Sequence, residues 1–502
     1  MRAYFQNLSV AVSQGDTFYL DQPPFNPGMP YPEYVFTEEV SSTINPAYDS
    51  VRNSFYLLGL DKGTFDTAQW NPLRGIVEPG NKVVIKPNFV LSSHYEGGDL
   101  FSIITHPSVI RVVVDYVYKA LEGRGQIIIA DAPQMDCNFS ELLVRTQLFS
   151  IQELYLRKKY FSIGILDLRD FWLEKKEGAA EALTKFRKRL EGDPCGSCVV
   201  NVGEKSEFFG MGNHKKFYGA DYNRDETIKH HHGATQEYMI SKTILSADVV
   251  MSIPKLKVHK KVGVTLNAKG LVGINTNKNY LVHYTLGIPA EGGDQFPADL
   301  LSPTEKFRVN IKRFLYDILL SKRTLFFDRV YLFILWLWQK SFRKILGAIP
   351  QDKFLIDGGN WYGNDSTWKM VSDLMKIIVY ADKNGVLGDV PQRKIFSVID
   401  GIIGGENNGP LTPDSKKAGV IVAGFNPLAV DIVGTRAMGF DCGKIRHLAN
   451  LMNNRIFSFH VTDPREIKIK SNVPEFKNMF YTKDKLLNFK PHRGWVKHVE
   501  IE

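Results

Sequence analysis

Residues 246–283, SADVVMSIPKLKVHKKVGVTLNAKGLVGINTNKNYLVH, join a short apolar run to a dense group of lysines and histidines. The run at 248–253 is rich in β-branched residues and closes at Pro254, which predicts a short buried strand. Four lysines and one histidine follow within residues 255–261. Lysine runs are usually solvated surfaces, but a run placed directly behind a buried strand predicts a loop that belongs to a functional site.

The segment behind this lysine loop is rich in glycine and mostly neutral. It carries Lys269 and His283, and its glycines permit tight turns and close approach of a ligand to the backbone. No named catalytic motif matches this spacing. The residues therefore indicate a site without specifying its reaction.

Length, charge and cysteine content limit the possible classes. The chain has 502 residues, a formal net charge of +9 and four cysteines. The length allows one large domain with insertions or two to three units, and the charge favours anionic partners. We expect a cytoplasmic protein, because residues 1–20 lack the apolar core of a secretion signal and no apolar run reaches the ~20 residues of a membrane-spanning helix. Four cysteines in so long a chain exclude a disulfide framework, and Cys195 and Cys198 form a single Cys-x-x-Cys that is a weak signal for redox chemistry or metal binding.

Strand and helix patterns alternate along the chain. Residues 81–85 (NKVVI) and 126–130 (QIIIA) have the pattern of buried strands, and a helix that begins at residues 105–107 (THP) lies between them. Two further strands are predicted at 394–399 and 418–423. The pattern predicts an α/β fold with an open, mostly parallel sheet, helices on both faces, helical insertions, and N- and C-terminal appendages.

Changes in composition divide the chain into seven predicted segments. In order, they are an N-terminal arm (1–75), the first part of the α/β core (76–138), a helical insertion (139–242), a central core segment with the lysine and histidine loop (243–300), a basic amphipathic helical insertion (301–350), the last part of the core (351–462) and a C-terminal appendage (463–502).

Two segments admit alternative interpretations. The three histidines at 230–232 precede a predicted helix at 235–245, where they form a surface cluster or contribute to the cleft. Residues 311–346 hold eight lysines or arginines against two aspartates, interleaved with large apolar residues. They predict basic helices that lie on an anionic membrane surface, or that pack on their own domain or on a second subunit as in a homodimer.

Polar residues follow the predicted strands at five places. Ligands of open parallel sheets bind beyond the carboxyl ends of the strands, so we expect these residues to line one cleft. The predicted substrate-binding residues are Lys86, Asn88, Asp131, Lys255, Lys257, Lys261, Asn408 and Asn426, and the lysines among them are the expected anion binders. The predicted catalytic residues, chosen because they can move a proton, are His259, Lys269, Asp400 and Glu406.

The same residues could hold a divalent metal. His259 and His283 are the predicted ligands for Zn²⁺, Fe or Ni, whereas Mg²⁺ or Mn²⁺ would bind the carboxylates. The sequence leaves both metals and a metal-free anion site open.

Six segments in order resemble the signatures of the uncharacterised domain of unknown function 362 family. They are VVIKPN (83–88), THP (105–107), IIIADAP (127–133), ADVVMSIPKLKVHKKVGVT (247–265), DGIIGGENNGP (400–410) and NPLAVDIVGTRAMG (426–439). The resemblance implies an α/β core, joined in some relatives to ferredoxin-like iron–sulfur modules, and it implies no particular activity. This chain lacks the closely spaced four-cysteine run of such modules, so we expect no intrinsic iron–sulfur cluster.

These observations lead to one main functional hypothesis and two alternatives. The main hypothesis is an enzyme that binds an anionic substrate with a phosphate or carboxylate group, either free or lipid-linked, with or without a metal. The alternatives are a redox accessory protein that serves an iron–sulfur partner and a non-catalytic adaptor on a membrane surface. Nucleic-acid binding is not expected, because no recognised module accompanies the basic charge.

Overall fold

The computed structural model describes residues 1–174, 187–221, 224–307, 309–311, 326, 329–330, 333, 336–337 and 355–501. Its centre is a ten-stranded sheet. The strands are β1 (Ser9–Gln14), β2 (Lys82–Pro87), β3 (Gln126–Asp131), β4 (Ile163–Asp167), β5 (Val249–Ile253), β6 (Lys255–His259), β7 (Gly263–Val264), β8 (Lys394–Glu406), β9 (Asp414–Gly424) and β10 (Lys468–Ser471).

The sheet is mostly parallel, as the sequence predicts. Its order is β10-β1-β9-β8-β5-β2-β3-β4, and β6 pairs with β8 and β7. Strands β8, β5, β2, β3 and β4 run parallel to one another, whereas β9 is antiparallel to both of its neighbours, β8 and β1. The carboxyl ends of β2, β3 and β5 therefore meet at one edge of the sheet.

Helices cover both faces of the sheet. The helices used below are α1 (Pro46–Leu58), α2 (Pro107–Leu121), α3 (Phe139–Thr146), α4 (Phe149–Lys159), α5 (Leu266–Gly270), α6 (Thr367–Tyr380), α7 (Pro427–Ala437) and α8 (Arg446–Asn453). Helix α5 is a single turn that carries Lys269. Short helices also lie at Arg2–Phe5, Arg224–His230, Lys242–Leu245 and Pro474–Lys477.

Side chains alternate between two apolar cores because successive residues of a strand point to opposite faces. Val84 of β2 belongs to the core that contains residues of α6, α7 and α8. Its neighbours Val83 and Ile85 belong to the core that contains residues of α1 to α4. The α/β class with helices on both faces is thus confirmed.

The lysine stretch predicted as a loop is strand β6. Strand β8 is 13 residues long, and its second half extends beyond the end of β5. After Pro254 the chain continues along this free half, where Lys255 pairs with Asp400 and Lys257 pairs with Gly405. Residues 255–259 are buried throughout, so the alternative of a solvated lysine face is wrong for this part of the stretch.

The two ends of the chain contribute strands to the sheet. Strand β1, inside the predicted N-terminal arm, lies between β9 and β10, and β10 comes from the predicted C-terminal appendage. The C-terminal segment also packs near β6, because the Trp495 indole donates a hydrogen bond to the Lys260 carbonyl at 2.7 Å. Both ends are thus built into the core architecture.

Residues 139–242 contain helices and strands. After α3 and α4, β4 extends the central sheet, and short strands follow at Phe171–Leu173, Arg187–Arg189, Ser197–Asn201, Phe217–Gly219, His231–His232 and Thr235–Ser241, with Phe217–Gly219 pairing with Val282–Thr285. The helix predicted at 235–245 is wrong for residues 235–241, which pair as a strand with Ser197–Asn201. Most of the predicted basic helices at 311–346 lie outside the described residues.

Within the part of the chain that the structure describes, no helix combines the length and apolar character needed to cross a bilayer.

Candidate functional site

A cavity of about 280 Å³ lies beyond the carboxyl ends of β2 and β3, beside β6. Its polar lining residues come from three parts of the sequence that are far apart in the chain, at 88, 131–134 and 257–284. They are Asn88, Asp131, Gln134, Lys257, His259, Lys260, Lys261, Thr265, Lys269, Lys278, His283 and Tyr284. The structure therefore brings together seven of the predicted site residues, namely Asn88, Asp131, Lys257, His259, Lys261, Lys269 and His283.

Asp131 and Lys86 form a buried ion pair at one wall of the cavity. The Lys86 Nζ lies 2.9 Å from Asp131 Oδ1, and each side chain is 3% exposed. The second carboxylate oxygen accepts a 2.6 Å hydrogen bond from the Phe89 backbone N–H. Asp131 is thus occupied by its own neighbours, and its negative charge is neutralised by Lys86.

This ion pair requires a glycine at position 273. A Cβ atom added there would lie 1.8 Å from Asp131 Oδ1 and 2.7 Å from Lys86 Nζ. We expect Gly273→Ala to lower the free energy of unfolding by about 2–4 kcal/mol, because the carboxylate must move away from its buried partner. Urea unfolding measures this change.

Gly270→Ala is the matched control, since an added Cβ there meets no atom closer than 3.9 Å. We expect its free energy of unfolding to stay within about 0.5 kcal/mol of the wild-type value. Equal destabilisation by the two substitutions would contradict the steric argument.

Two of the cavity lysines are held by backbone carbonyl groups. Lys257 Nζ donates to the carbonyls of Ile103 at 2.7 Å and Pro410 at 3.2 Å. Lys278 Nζ donates to three carbonyls at 2.8–3.1 Å, which uses all of its protons. Burial lowers the pKa of Lys257 well below its usual range and lowers the pKa of Lys278 to about 7.

Lys269 differs from these two lysines. It is 7% exposed, and its Nζ has no hydrogen-bond partner among the residues that the structure describes. Burial lowers its pKa to about 7. Lys269 therefore brings an amine to the cavity that no neighbouring protein group occupies.

His259 and His283 present opposite hydrogen-bonding properties. His259 Nδ1 accepts a hydrogen bond from the Lys261 backbone N–H at 3.1 Å, so a neutral ring carries its proton on Nε2. His283 Nδ1 lies 3.2 Å from the Leu281 carbonyl, which can only accept, so a neutral His283 has an unprotonated Nε2. Burial, followed by the charge of Lys269, keeps the pKa of both rings well below the usual value, and both are neutral at pH 7.

Lys255 and Asp400 form a second buried pair that does not line the cavity. Lys255 Nζ lies 2.9 Å from Asp400 Oδ2, and neither side chain is exposed. The Tyr19 hydroxyl donates to Asp400 Oδ1 at 2.5 Å and accepts from Lys255 Nζ at 2.7 Å. The His106 backbone N–H donates to Asp400 Oδ2 at 2.9 Å. These contacts join β6 and β8 to the N-terminal segment, so they hold the fold together.

Three other predicted site residues also lie elsewhere. Glu406 Oε2 accepts from the Lys490 backbone N–H at 3.0 Å, and Asn408 is absent from the cavity lining. Asn426 caps α7 and donates to two backbone carbonyls. Asn426 lies far from the cleft because β9 is antiparallel, which puts its carboxyl end at the opposite edge of the sheet.

Sequence reasoning missed Lys278 and Thr265 in the cavity lining and Tyr19 in the Lys255–Asp400 cluster. Lys278 lies in the quoted stretch, but a lone lysine in the neutral segment NTNKNY gives no pattern. Tyr19 lies more than 200 residues from Lys255 in the chain, so no local signal points to it.

The cysteine pair lies outside this cavity. Cys195 is exposed, and Cys198 Sγ donates to the Asn384 carbonyl at 3.2 Å. Across the described ranges, no group of three or more histidine, cysteine, aspartate or glutamate side chains is arranged to hold a metal ion.

Residues 192–436 match the family described as Domain of unknown function (DUF362). The match contains β5, β6, β8 and α5, and therefore Lys257, His259, Lys269 and His283. The segments at 83–88, 105–107 and 127–133 that carry the same resemblance precede the matched range. No curated protein and no solved structure matches the chain.

Proposed function

We propose that the protein is an enzyme that binds a small molecule bearing a phosphate or carboxylate group and moves a proton on it. The observation that carries the proposal is the charge of the cavity. Among the residues that the structure describes, five lysines line it (Lys257, Lys260, Lys261, Lys269 and Lys278), against the one carboxylate of Asp131, which Lys86 already neutralises.

Burying several like charges is unfavourable unless a counter-charge accompanies them. Burial lowers the pKa values of Lys269 and Lys278 to about 7, so these two amines are only partly protonated at neutral pH. An anion in the cavity supplies the missing counter-charge and favours the protonated amines. Lys269 is the natural contact, because its Nζ has no hydrogen bond to another described residue.

The two histidines supply the proton transfer. His283 offers an unprotonated Nε2 as a base, and His259 offers an Nε2–H as a donor. A positioned base can take the proton, and a hydrogen-bond donor beside it can stabilise the negative charge that then develops on the substrate. Asp400 and Glu406 have no part in this proposal, because both lie outside the cavity lining.

Binding of inorganic phosphate and of oxalate tests the proposal. By calorimetry at pH 6.5, where Lys269 is mostly protonated, we expect saturable binding that weakens about tenfold or more in Lys269→Met. The reason is that a hydrogen bond to a charged group contributes roughly 1.5–3 kcal/mol.

Lys477→Met, which removes one exposed lysine of the C-terminal segment, is the matched control and is expected to bind like the wild type. All titrations are compared at the same ionic strength, set with sodium chloride, so that general screening is constant. The proposal fails if neither anion binds, or if Lys269→Met binds both as tightly as the wild type.

A further inference from the structure

The amine of Lys269 is buried and makes no hydrogen bond to another described residue, as expected of a lysine that acts as a nucleophile. The other buried lysines near the cavity are restrained, Lys86 by Asp131, Lys257 by two carbonyls and Lys278 by three. Lys269 is buried to the same degree, yet its Nζ has no protein hydrogen bond within the described ranges. A nitrogen that donates to nothing keeps its lone pair and its protons available for a substrate.

The backbone around Lys269 is held rigidly. Asp431 of α7 accepts three hydrogen bonds at 2.7–2.8 Å from α5, two from Asn267 and one from the Ala268 backbone N–H. Leu266 begins this helical turn at a φ of 45°, in the left-handed region that a bulky residue rarely adopts. Such backbone strain is kept where the surrounding structure enforces it, frequently next to a functional group.

His447 adds an independent observation. Its ring is fully buried, neither ring nitrogen has a hydrogen-bond partner in the described structure, and burial together with the charge of Lys269 lowers its pKa to about 3. His447 is therefore neutral at pH 7 and adds no charge to the surroundings of Lys269. No buried carboxylate is paired with Lys269, so nothing in the described protein stabilises its protonated form.

We propose that Lys269 forms a Schiff base with the carbonyl carbon of a substrate that carries a phosphate or carboxylate group. This inference rests on the proposed function. A simple anion such as phosphate contacts Lys269 by charge, whereas a substrate that also has a carbonyl group is drawn in by the charge of the cavity and presents its carbonyl carbon to Lys269. Desolvated lysines that lie beside other cations are the ones that act as neutral nucleophiles in proteins.

The step balances without an oxidant or a reductant. The Nζ lone pair attacks the carbonyl carbon, a C–N bond forms, and the His259 Nε2–H donates a hydrogen bond to the carbonyl oxygen. His283 Nε2 takes one proton from the nitrogen and gives it to that oxygen, which produces the carbinolamine. His283 then transfers the second proton of the nitrogen to the hydroxyl, the C–O bond breaks as water leaves, and a C=N bond remains.

Reductive trapping tests the inference. The protein is incubated with pyruvate or with dihydroxyacetone phosphate, reduced with sodium borohydride and mapped by peptide mass spectrometry. We expect a stable adduct on Lys269, with a yield that rises as the pH increases through about 7, where the amine loses its proton. The probe that reacts better tells a carboxylate-bearing substrate from a phosphate-bearing one.

Lys269→Arg separates this inference from the proposed function. Arginine keeps the positive charge but forms no Schiff base under these conditions, so we expect phosphate binding to persist while the adduct disappears. We expect Lys269→Met to bind phosphate more weakly and to form no adduct. Lys477→Met is expected to bind phosphate and to form the adduct as the wild type does. Urea unfolding confirms that each variant is folded.

Two outcomes overturn the inference: the wild type binds phosphate but gives no adduct on Lys269 with either probe, or labelling spreads over surface lysines without preference. If the wild type forms the adduct on Lys269 but does not bind phosphate, the anion-binding proposal is wrong and the assignment of Lys269 as the nucleophile is supported.

Discussion

Asp400→Asn is expected to lower the free energy of unfolding by about 3–5 kcal/mol, because it leaves the buried ammonium of Lys255 without its counter-charge. All groups around the carboxylate are hydrogen-bond donors, namely the Tyr19 hydroxyl, the Lys255 ammonium and the His106 backbone N–H. An asparagine amide turns its own N–H₂ toward at least one of these donors. Burial already lowers the pKa of Lys255, and loss of Asp400 lowers it further.

A double-mutant cycle with Lys255→Met measures the coupling. We expect the double variant to be more stable than the sum of the single effects predicts, since it removes the uncompensated charge. At a temperature where Asp400→Asn is folded, phosphate binding is expected to equal that of the wild type. If Asp400→Asn lowers the free energy of unfolding by less than about 1 kcal/mol, the structural role of Asp400 is contradicted. If the folded variant no longer binds phosphate, Asp400 belongs to the binding site.

The local sequence pattern was sufficient to predict the strands that are buried in the core. Residues 81–85, 126–130 and 248–253 are apolar runs with β-branched side chains, and each is a parallel strand of the sheet. The pattern failed at β6, because a strand of alternating lysines is stable only where a long partner extends to meet it. That partner, β8, comes from more than 130 residues later in the chain.

The sequence predicts which polar residues lie at the ends of strands. It does not predict at which edge of the sheet each of those ends lies, because that depends on the direction of the strand. Asn88 and Asp131 follow parallel strands, and both line the cavity. Asn426 also follows a strand, but β9 runs the other way and its end lies at the opposite edge. Strand direction is set by long-range pairing, which a single sequence does not reveal.

A shift in the pairing register explains why the two lysines of β6 have different surroundings. Lys255 and Lys257 lie two residues apart and share one face of the strand, but the pairing register shifts between them. Lys255 meets Asp400 and Tyr19, whereas Lys257 reaches the carbonyls beside the cavity. Two neighbouring lysines of one motif thus serve different purposes, one in the fold and one in the site.

Lys269→Met is expected to raise the free energy of unfolding of the anion-free protein at pH 6.5 by about 2–4 kcal/mol. The folded protein lowers the pKa of Lys269 from 10.5 to about 7, so protonating this amine costs more in the folded state than in the unfolded state. Methionine has a side chain of similar length and needs no hydrogen bond. The residue that we propose as the nucleophile therefore destabilises the empty protein.

The stability advantage of Lys269→Met depends on pH because the pKa of Lys269 is lower in the folded protein than in the unfolded protein. Below pH 7 the amine is protonated in both states, and the cost of burying its charge is present in full. Between pH 7 and 10.5 the folded state has released the proton and the unfolded state still holds it, so wild-type stability rises relative to Lys269→Met. Urea unfolding from pH 6 to 10, without phosphate or sulfate, measures the difference between the two proteins. A difference that stays constant with pH, or a variant that is less stable at pH 6.5, would show that Lys269 has a counter-charge in the folded protein.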